Sequence, residues 1–276
     1  MEMQGGCWLL ISFEKFTQGI HLNEDAIKSI EWLQQKVPLT LKQLFYENKA
    51  VFFETVKSQG AGSKPLFLYL YIELARNIYD EYVKKGIEDK VYFDTMSDIA
   101  VWADNCKRTF GIWGINEYEW LTRHLEMKLF KLGRLQFELI IFDKTVSVGD
   151  LTVTAGQKVL NVHIQQGELL IYEECKASYE QARAFFKNVH CIFVCHSWLL
   201  NPALKELLPK SSNIIQFQED YFVFEIDEND RQCEDRLFGT FLVNPEDYPK
   251  ETSLQRKAVE YLKNGKKLGI GYGVFQ

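Results

Sequence analysis

VLNVHIQQG at residues 159–167, SYEQARAFFKNV at 178–189 and CIFVCHSWLL at 191–200 form one pattern. The outer two pieces are short apolar runs rich in β-branched residues, and the middle one repeats its apolar residues at helical spacing. This predicts strand–helix–strand, a unit that closes a parallel pair through a right-handed crossover. Ligands of such sheets bind beyond the carboxyl ends of the strands. Those ends carry His163, Gln165, Gly167, Ser178, His196, Ser197 and Asn201, so a pocket is expected there.

The period changes at Gly133. RLQFELIIF places Leu135, Phe137, Leu139 and Ile141 on one face and Gln136 and Glu138 on the other, a strand pattern. TVSVGDLTV and KVLNVHI follow across Gly149 and Ala155-Gly156, which predicts an antiparallel meander. Beyond CIFVCHS the reading is a short helix at NPALKELL, strands at SSNIIQFQ and YFVFEID, and a charged loop at DENDRQCED. A helix over TSLQRKAVEYLKNG and a glycine-punctuated final strand, KKLGIGYGVF, complete it. Upstream, about five helices are expected between residues 23 and 132, the last being EYEWLTRHLEMKLFKL. Asn23 caps an acidic first turn, and Phe67, Leu70, Leu74, Ile78 and Tyr82 form a buried helix face. The domains predicted are residues 1–132, helical, and 133–276, mixed.

Composition bounds the function. Thirty-two basic against 38 acidic residues give a net charge of −6, which disfavours binding to a nucleic-acid backbone. No apolar run approaches the roughly 18 residues of a membrane span, and MEMQGGCWLLISFEKF lacks the basic start of a signal peptide. Neither nucleic acid nor membrane is expected as a partner, and the cytoplasm is the expected location. The six cysteines form no CxxC and no zinc spacing, so they read as reduced, mostly buried side chains, and no metal is expected.

Several strings are unusual enough to carry a resemblance. DTMSDIAVWADNCKRTFGIWGINEYEWLTRHL (94–125), LGRLQFE (132–138), VHIQQG (162–167) and SYEQARAFF (178–186) are four of them. CHSWLLNPALKELLP (195–209), SSNIIQFQ (211–218) and TSLQRKAVEYLKNG (252–265) are the others. Together they resemble the bacterial acyltransferase domain-containing proteins, in which a helical N-acyltransferase N-terminal domain precedes a GNAT-like C-terminal domain. The resemblance implies an α+β fold: an all-helical first domain, then a GNAT-like mixed α/β domain around a central, largely antiparallel sheet. It implies acetyl-CoA or another acyl-CoA as co-substrate, with the pantetheine arm between two splayed strands and the pyrophosphate at the next helix N-terminus. A helix N-terminus suits an anion because it offers free N–H groups and about half a positive charge. Mapped onto this chain, the backbone around Ser178 would meet the pyrophosphate, with Gly167 and Asn201 flanking. Two departures stand out. The family superfold's Q/R-x-x-G-x-G/A loop is replaced by QQGELLIYEECKAS, which carries Glu173 and Glu174, and the customary tyrosine is missing from NPALKELL.

Acyl transfer to an amine needs a base, donors for the oxyanion and a proton for the thiolate. Glu138 is one candidate base, with Gln136 beside it on substrate; a Glu on a solvated strand face fits the same pattern. His163, at the end of its strand and sharing a face with Asn161 and Val159, is the other candidate, against a structural histidine. Cys195 and His196 point to opposite faces and form no dyad, so Cys195 reads as core. Ser197 is a candidate donor to the thiolate, and Arg256 a candidate for substrate carboxylate or phosphate. The sequence thus supports an acyl-CoA-dependent N-acyltransferase acting on a small-molecule amine. A catalytically silent GNAT-like binding protein for a small molecule or a protein partner remains the alternative.

Overall fold

The computed structural model describes residues 10–187 and 191–275. The chain divides into two compact units, Met1–Lys131 and Leu132–Gln276.

The first unit is helical, with α1 Phe13–Gly19, α2 Glu24–Ile30, α3 Leu39–Glu47 and α4 Lys49–Lys57. Then come α5 Ser63–Lys84, α6 Asp89–Met96, α7 Asp98–Phe110 and α8 Tyr118–Leu125. The Asn23 side chain caps α2 by accepting from the Asp25 N–H at 2.9 Å. The apolar-rich stretch at 39–57 forms two helices, because Asn48 leaves the helical region and caps α4 through its own side chain. α5 is the axis of this unit. It packs against α1, α2, α3, α4, α6, α7 and α8, so it is buried on more than the one face predicted, with Leu68, Tyr71 and Ile72 fully enclosed. No described helix is long and apolar enough to cross a membrane.

The helix expected to run to Leu132 stops at Leu125. Met127 takes φ 53°, and the N–H groups of Met127 and Lys128 turn back to the carbonyls of His124 and Arg123. This is a helix-ending motif usually built on glycine, so the sequence carried no sign of it. Residues Leu129–Leu132 are instead strand β1.

From there the order is β2 Leu135–Ile141, β3 Val146–Val148, β4 Leu151–Val153 and β5 Lys158–His163. α9 Tyr172–Phe185, β6 Phe193–Ser197, α10 Leu204–Leu207, α11 Asn213–Glu219 and β7 Phe222–Asp227 follow. α12 Gln232–Phe238, α13 Ser253–Lys263 and β8 Ile270–Phe275 close the chain. The main sheet runs β1-β2-β5-β6-β8-β7. β5 and β6 are parallel around α9, whereas β2 with β5, β6 with β8 and β7 with β8 are antiparallel. β3 and β4 form a separate hairpin, so the predicted meander is wrong in one respect: β2 pairs directly with β5. Val146, Val148, Leu151 and Val153 of that hairpin lie against Phe142, Val159, Ile192, Val194 and Val274 on one sheet face.

Two further expectations fail. SSNIIQFQ is helix α11, whose Ile215, Phe217 and Gln218 are buried, and DENDRQCED contains α12, anchored by Cys233. A short apolar run reads equally as strand or helix until its neighbours choose. The glycines of β8 have a steric cause. A Cβ on Gly271 would come 2.5 Å from the Leu200 carbonyl oxygen, so only glycine lets that turn cross the strand.

On the other sheet face, α9 lays Tyr179 against Phe137, Phe193 and Phe275 at 6.1, 4.9 and 5.0 Å between ring centres. The predicted strand–helix–strand unit is therefore present, with Thr252 capping α13 in a reciprocal box with Gln255.

Candidate active site

The antiparallel register of β2 and β5 sets Gln136 opposite His163 and Glu138 opposite Asn161. Residues paired or two apart share a face, so these four side chains project together. His163 Nε2 lies 3.0 Å from a Glu138 carboxylate oxygen and 3.1 Å from Asn161 Nδ2. One nitrogen cannot donate to the carboxylate and accept from the amide at once. When Nε2 carries a proton it donates to Glu138, and when it does not it accepts from Asn161. The imidazole thus has a partner in either state. The side chains of His163 and Glu138 are 23% and 13% exposed, near the surface yet partly withdrawn from water.

The parallel ladder of β5 and β6 has two pairs, Leu160–Phe193 and Asn161–Val194. β5 runs on to His163 paired with β2, and β6 to Ser197 paired with β8, but the two form no further pair with each other, so their mutual ladder ends beside the Glu138–His163 pair. Across that gap, His196 faces the same side as Asn161 and His163. Its exposed ring stacks on Tyr272 with centres 3.8 Å apart and planes at 15°. Partial burial lowers the His196 pKa, opposed by the negative charges of Asp230 and Asp227. Lys144 sits over the Tyr272 ring and pairs with Glu225 at 2.6 Å, extending a polar row across this face.

α9 starts six residues before Ser178, at Tyr172, and this corrects the assignment of Ser178 to a helix N-terminus. Ser178 is buried in mid-helix. Its Oγ donates to the Glu174 carbonyl and accepts the N–H groups of Arg134 and Leu135 at 2.8 and 3.3 Å. It brackets the β1–β2 turn onto α9. Gly133 is needed in that turn, since it holds φ 70° and a Cβ there would stand 2.7 Å from the Ser178 Oγ. Ser178→Ala is expected to cost about 1–3 kcal/mol in urea unfolding, because two buried N–H groups lose their acceptor. A midpoint unchanged from wild type would refute that role.

The true N-terminus of α9 has Ile171 at its cap with no side-chain hydrogen bond, preceded by Gly167 at φ 101° in an exposed loop. Glu173 and Glu174 fall in its first turn, both exposed, with Glu173 paired to Lys176 at 3.2 Å. Asn201 is also corrected. Its amide donates to the Gly269 carbonyl and accepts from the Ala203 N–H, so the side chain is committed to the fold. Ser197 is on the face opposite His196, and its hydroxyl accepts from the Leu199 N–H. Arg256 donates to the carbonyls of Lys250 and Glu251, on a helix packed against α10 and α12. It lines a cleft of about 510 Å³ with Glu206, Lys257, Glu260 and Lys266, on elements other than the strands that carry Gln136 and His163. Cys195 is enclosed, and burial alone holds its thiol far above the usual range. Five cysteines are free and buried; Cys7 lies outside the described residues.

The profile of the GNAT-like C-terminal domain matches residues 129–275, more than half of the chain. The chain belongs to the GNAT-like C-terminal domain family. The N-acyltransferase N-terminal domain profile matches residues 12–127, so this GNAT-like protein has the two-part architecture of both. Among solved structures it is similar to an acyltransferase in complex with decanoyl-CoA and teicoplanin: TM-score 0.74, 20% identity, 95% of this chain and 86% of that one. It is also similar to an acyltransferase in complex with decanoyl-CoA, with TM-score 0.68, 19% identity and coverage of 96% and 99%. No curated protein matches the sequence.

Asn161 and Arg134 were not singled out as site residues by sequence reasoning. Asn161 had a usable signal, its spacing of two from His163 on a strand. Arg134 had none, because its partners at 168, 169 and 178 are distant in sequence.

Proposed function

We propose that this protein is an acyl-CoA-dependent N-acyltransferase, with Glu138 and His163 as its base. The observation that carries the reading is the hydrogen-bonded Glu138–His163 pair at the mouth of the parted β5 and β6 ends. The acyl-CoA bound in the similar structures supports the choice of donor. In the reaction, the acceptor amine attacks the thioester carbonyl carbon. The C–N bond forms, the amine proton passes to the hydrogen-bonded Glu138–His163 pair, and the C–S bond breaks. The leaving thiolate takes a proton from His163 or from water, giving an amide and free CoA. Glu138 stabilises the imidazolium while it lasts, and Asn161 holds the ring when it is neutral. Gln136, 1% exposed and on the same face, fixes the approach from the strand's inner end. His196 and Tyr272, stacked on that face across the gap, offer a flat wall to the acceptor.

One sequence feature favours the silent alternative: the loop before α9 carries one glycine where the superfold's phosphate loop carries two or more. Calorimetric titration with acetyl-, octanoyl- and decanoyl-CoA, followed by thiol release with a panel of amines that includes a glycopeptide, separates the readings. Binding of at least one donor at micromolar concentration, with amine-dependent thiol release, is expected. Absence of binding at millimolar concentration would remove the donor, and binding without release would favour the silent protein.

A further inference from the structure

Arg134 is the second residue of the turn between β1 and β2, and its contacts join three segments. Its N–H is held by Ser178 Oγ of α9 at 2.8 Å. Its side chain, 2% exposed, donates from Nε to the Leu169 carbonyl and from Nη2 to the Glu168 carbonyl, at 2.8 and 2.7 Å. Both carbonyls belong to the loop that leads from β5 into α9. The third nitrogen, Nη1, is sealed from solvent without a hydrogen-bond partner.

This is a costly arrangement. A guanidinium keeps its charge at every physiological pH, and an enclosed cation without a close counter-charge destabilises a fold. The carboxylate that pairs with it, that of Glu168, is 3.9 Å from Nε and half exposed. Two carbonyls could have been held by a neutral donor. The charge lies beside the α9 N-terminus, which has no side-chain cap and whose dipole it joins, opposite the exposed first-turn carboxylates Glu173 and Glu174. Burial raises the thiol of Cys175, in the first turn of α9, to about 11, and the Arg134 charge opposes that rise.

Resting on the acyltransferase reading, we propose that Arg134 is a positioning residue for the donor: it fixes the 168–169 backbone and charges the α9 N-terminus to receive the CoA diphosphate. The same turn begins β2, so the seat of the diphosphate and the strand bearing Glu138 are held by one residue. The distance between thioester and base is thereby set from within one rigid corner.

The test uses the full chain and measures CoA and phosphate-free pantetheine binding by calorimetry, with hydrogen exchange of residues 165–174. In the wild type, CoA is expected to slow exchange across this loop. Arg134→Gln is expected to weaken CoA at least tenfold, with pantetheine affinity within twofold of wild type. Arg134→Lys, which keeps the charge and loses the fork, is expected to bind CoA at least threefold more tightly than Arg134→Gln. Unchanged CoA affinity in Arg134→Gln, or an equal loss for CoA and pantetheine, would overturn the proposal by leaving Arg134 a structural role. Should neither variant fold, wild-type exchange decides: a loop that CoA does not slow is no seat for it. A wild type that binds no CoA would instead overturn the acyltransferase reading itself.

Discussion

Glu138→Gln is expected to lower kcat by about 10²–10⁴-fold at saturating acyl-CoA, the range for loss of a general base. The substitution keeps the shape and one hydrogen-bond acceptor opposite His163 but removes the charge that stabilises the imidazolium. His163→Ala is expected to lose as much, and the double variant little more, since the two groups act as one unit on one proton. Donor affinity is the control. Both residues stand on the β2–β5 ladder and neither is part of α9, so CoA binding by calorimetry should change less than threefold. Turnover of Glu138→Gln within threefold of wild type, with donor still bound, would sink the assignment and point to water or another residue as base.

The second large effect is on stability. Phe193, fully buried on β6, stacks on Phe275 at 5.5 Å and meets Phe137 and Tyr179 at 5.7 and 4.9 Å. The Arg183 guanidinium covers the ring from 4.9 Å. Phe193→Ala is expected to cost about 3–5 kcal/mol in urea unfolding, from lost transfer energy and the cavity left among rings that cannot all close inward. Because Leu160 pairs with Phe193 at the root of the parted strands, the variant should also weaken donor binding. A loss below about 1 kcal/mol would mean that this cluster is not the core that holds the sheet to α9.

The patterns that proved readable are those written locally. Period-two alternation from Leu135 and the β-branched runs at 159–163 and 192–194 each need only a few neighbouring residues to act. They placed the crossover and the two candidate bases before any contact was known, and the GNAT-like order came with the family resemblance. The residues read less well are those whose partner is far along the chain. Ser178 and Asn201 look like ligand groups in a strand-end list, yet each is consumed by backbone from another element. Arg256 looks like an anion site and is spent on its own helix's approach.

Sequence alone determined a helical first part, a strand–helix–strand crevice in the second, and His163 and Glu138 as the side chains to watch. The tertiary structure decided that β2 lies directly beside β5, which turns two separate candidates into one hydrogen-bonded pair. It also decided that Asn213–Glu219 is a helix, because Gln218 reaches the carbonyls of Leu199 and Asn201 from there. The physical reason is the same in both cases. Strand register and the satisfaction of buried carbonyls are settled by which elements meet, and a periodic pattern describes only the face an element brings to that meeting.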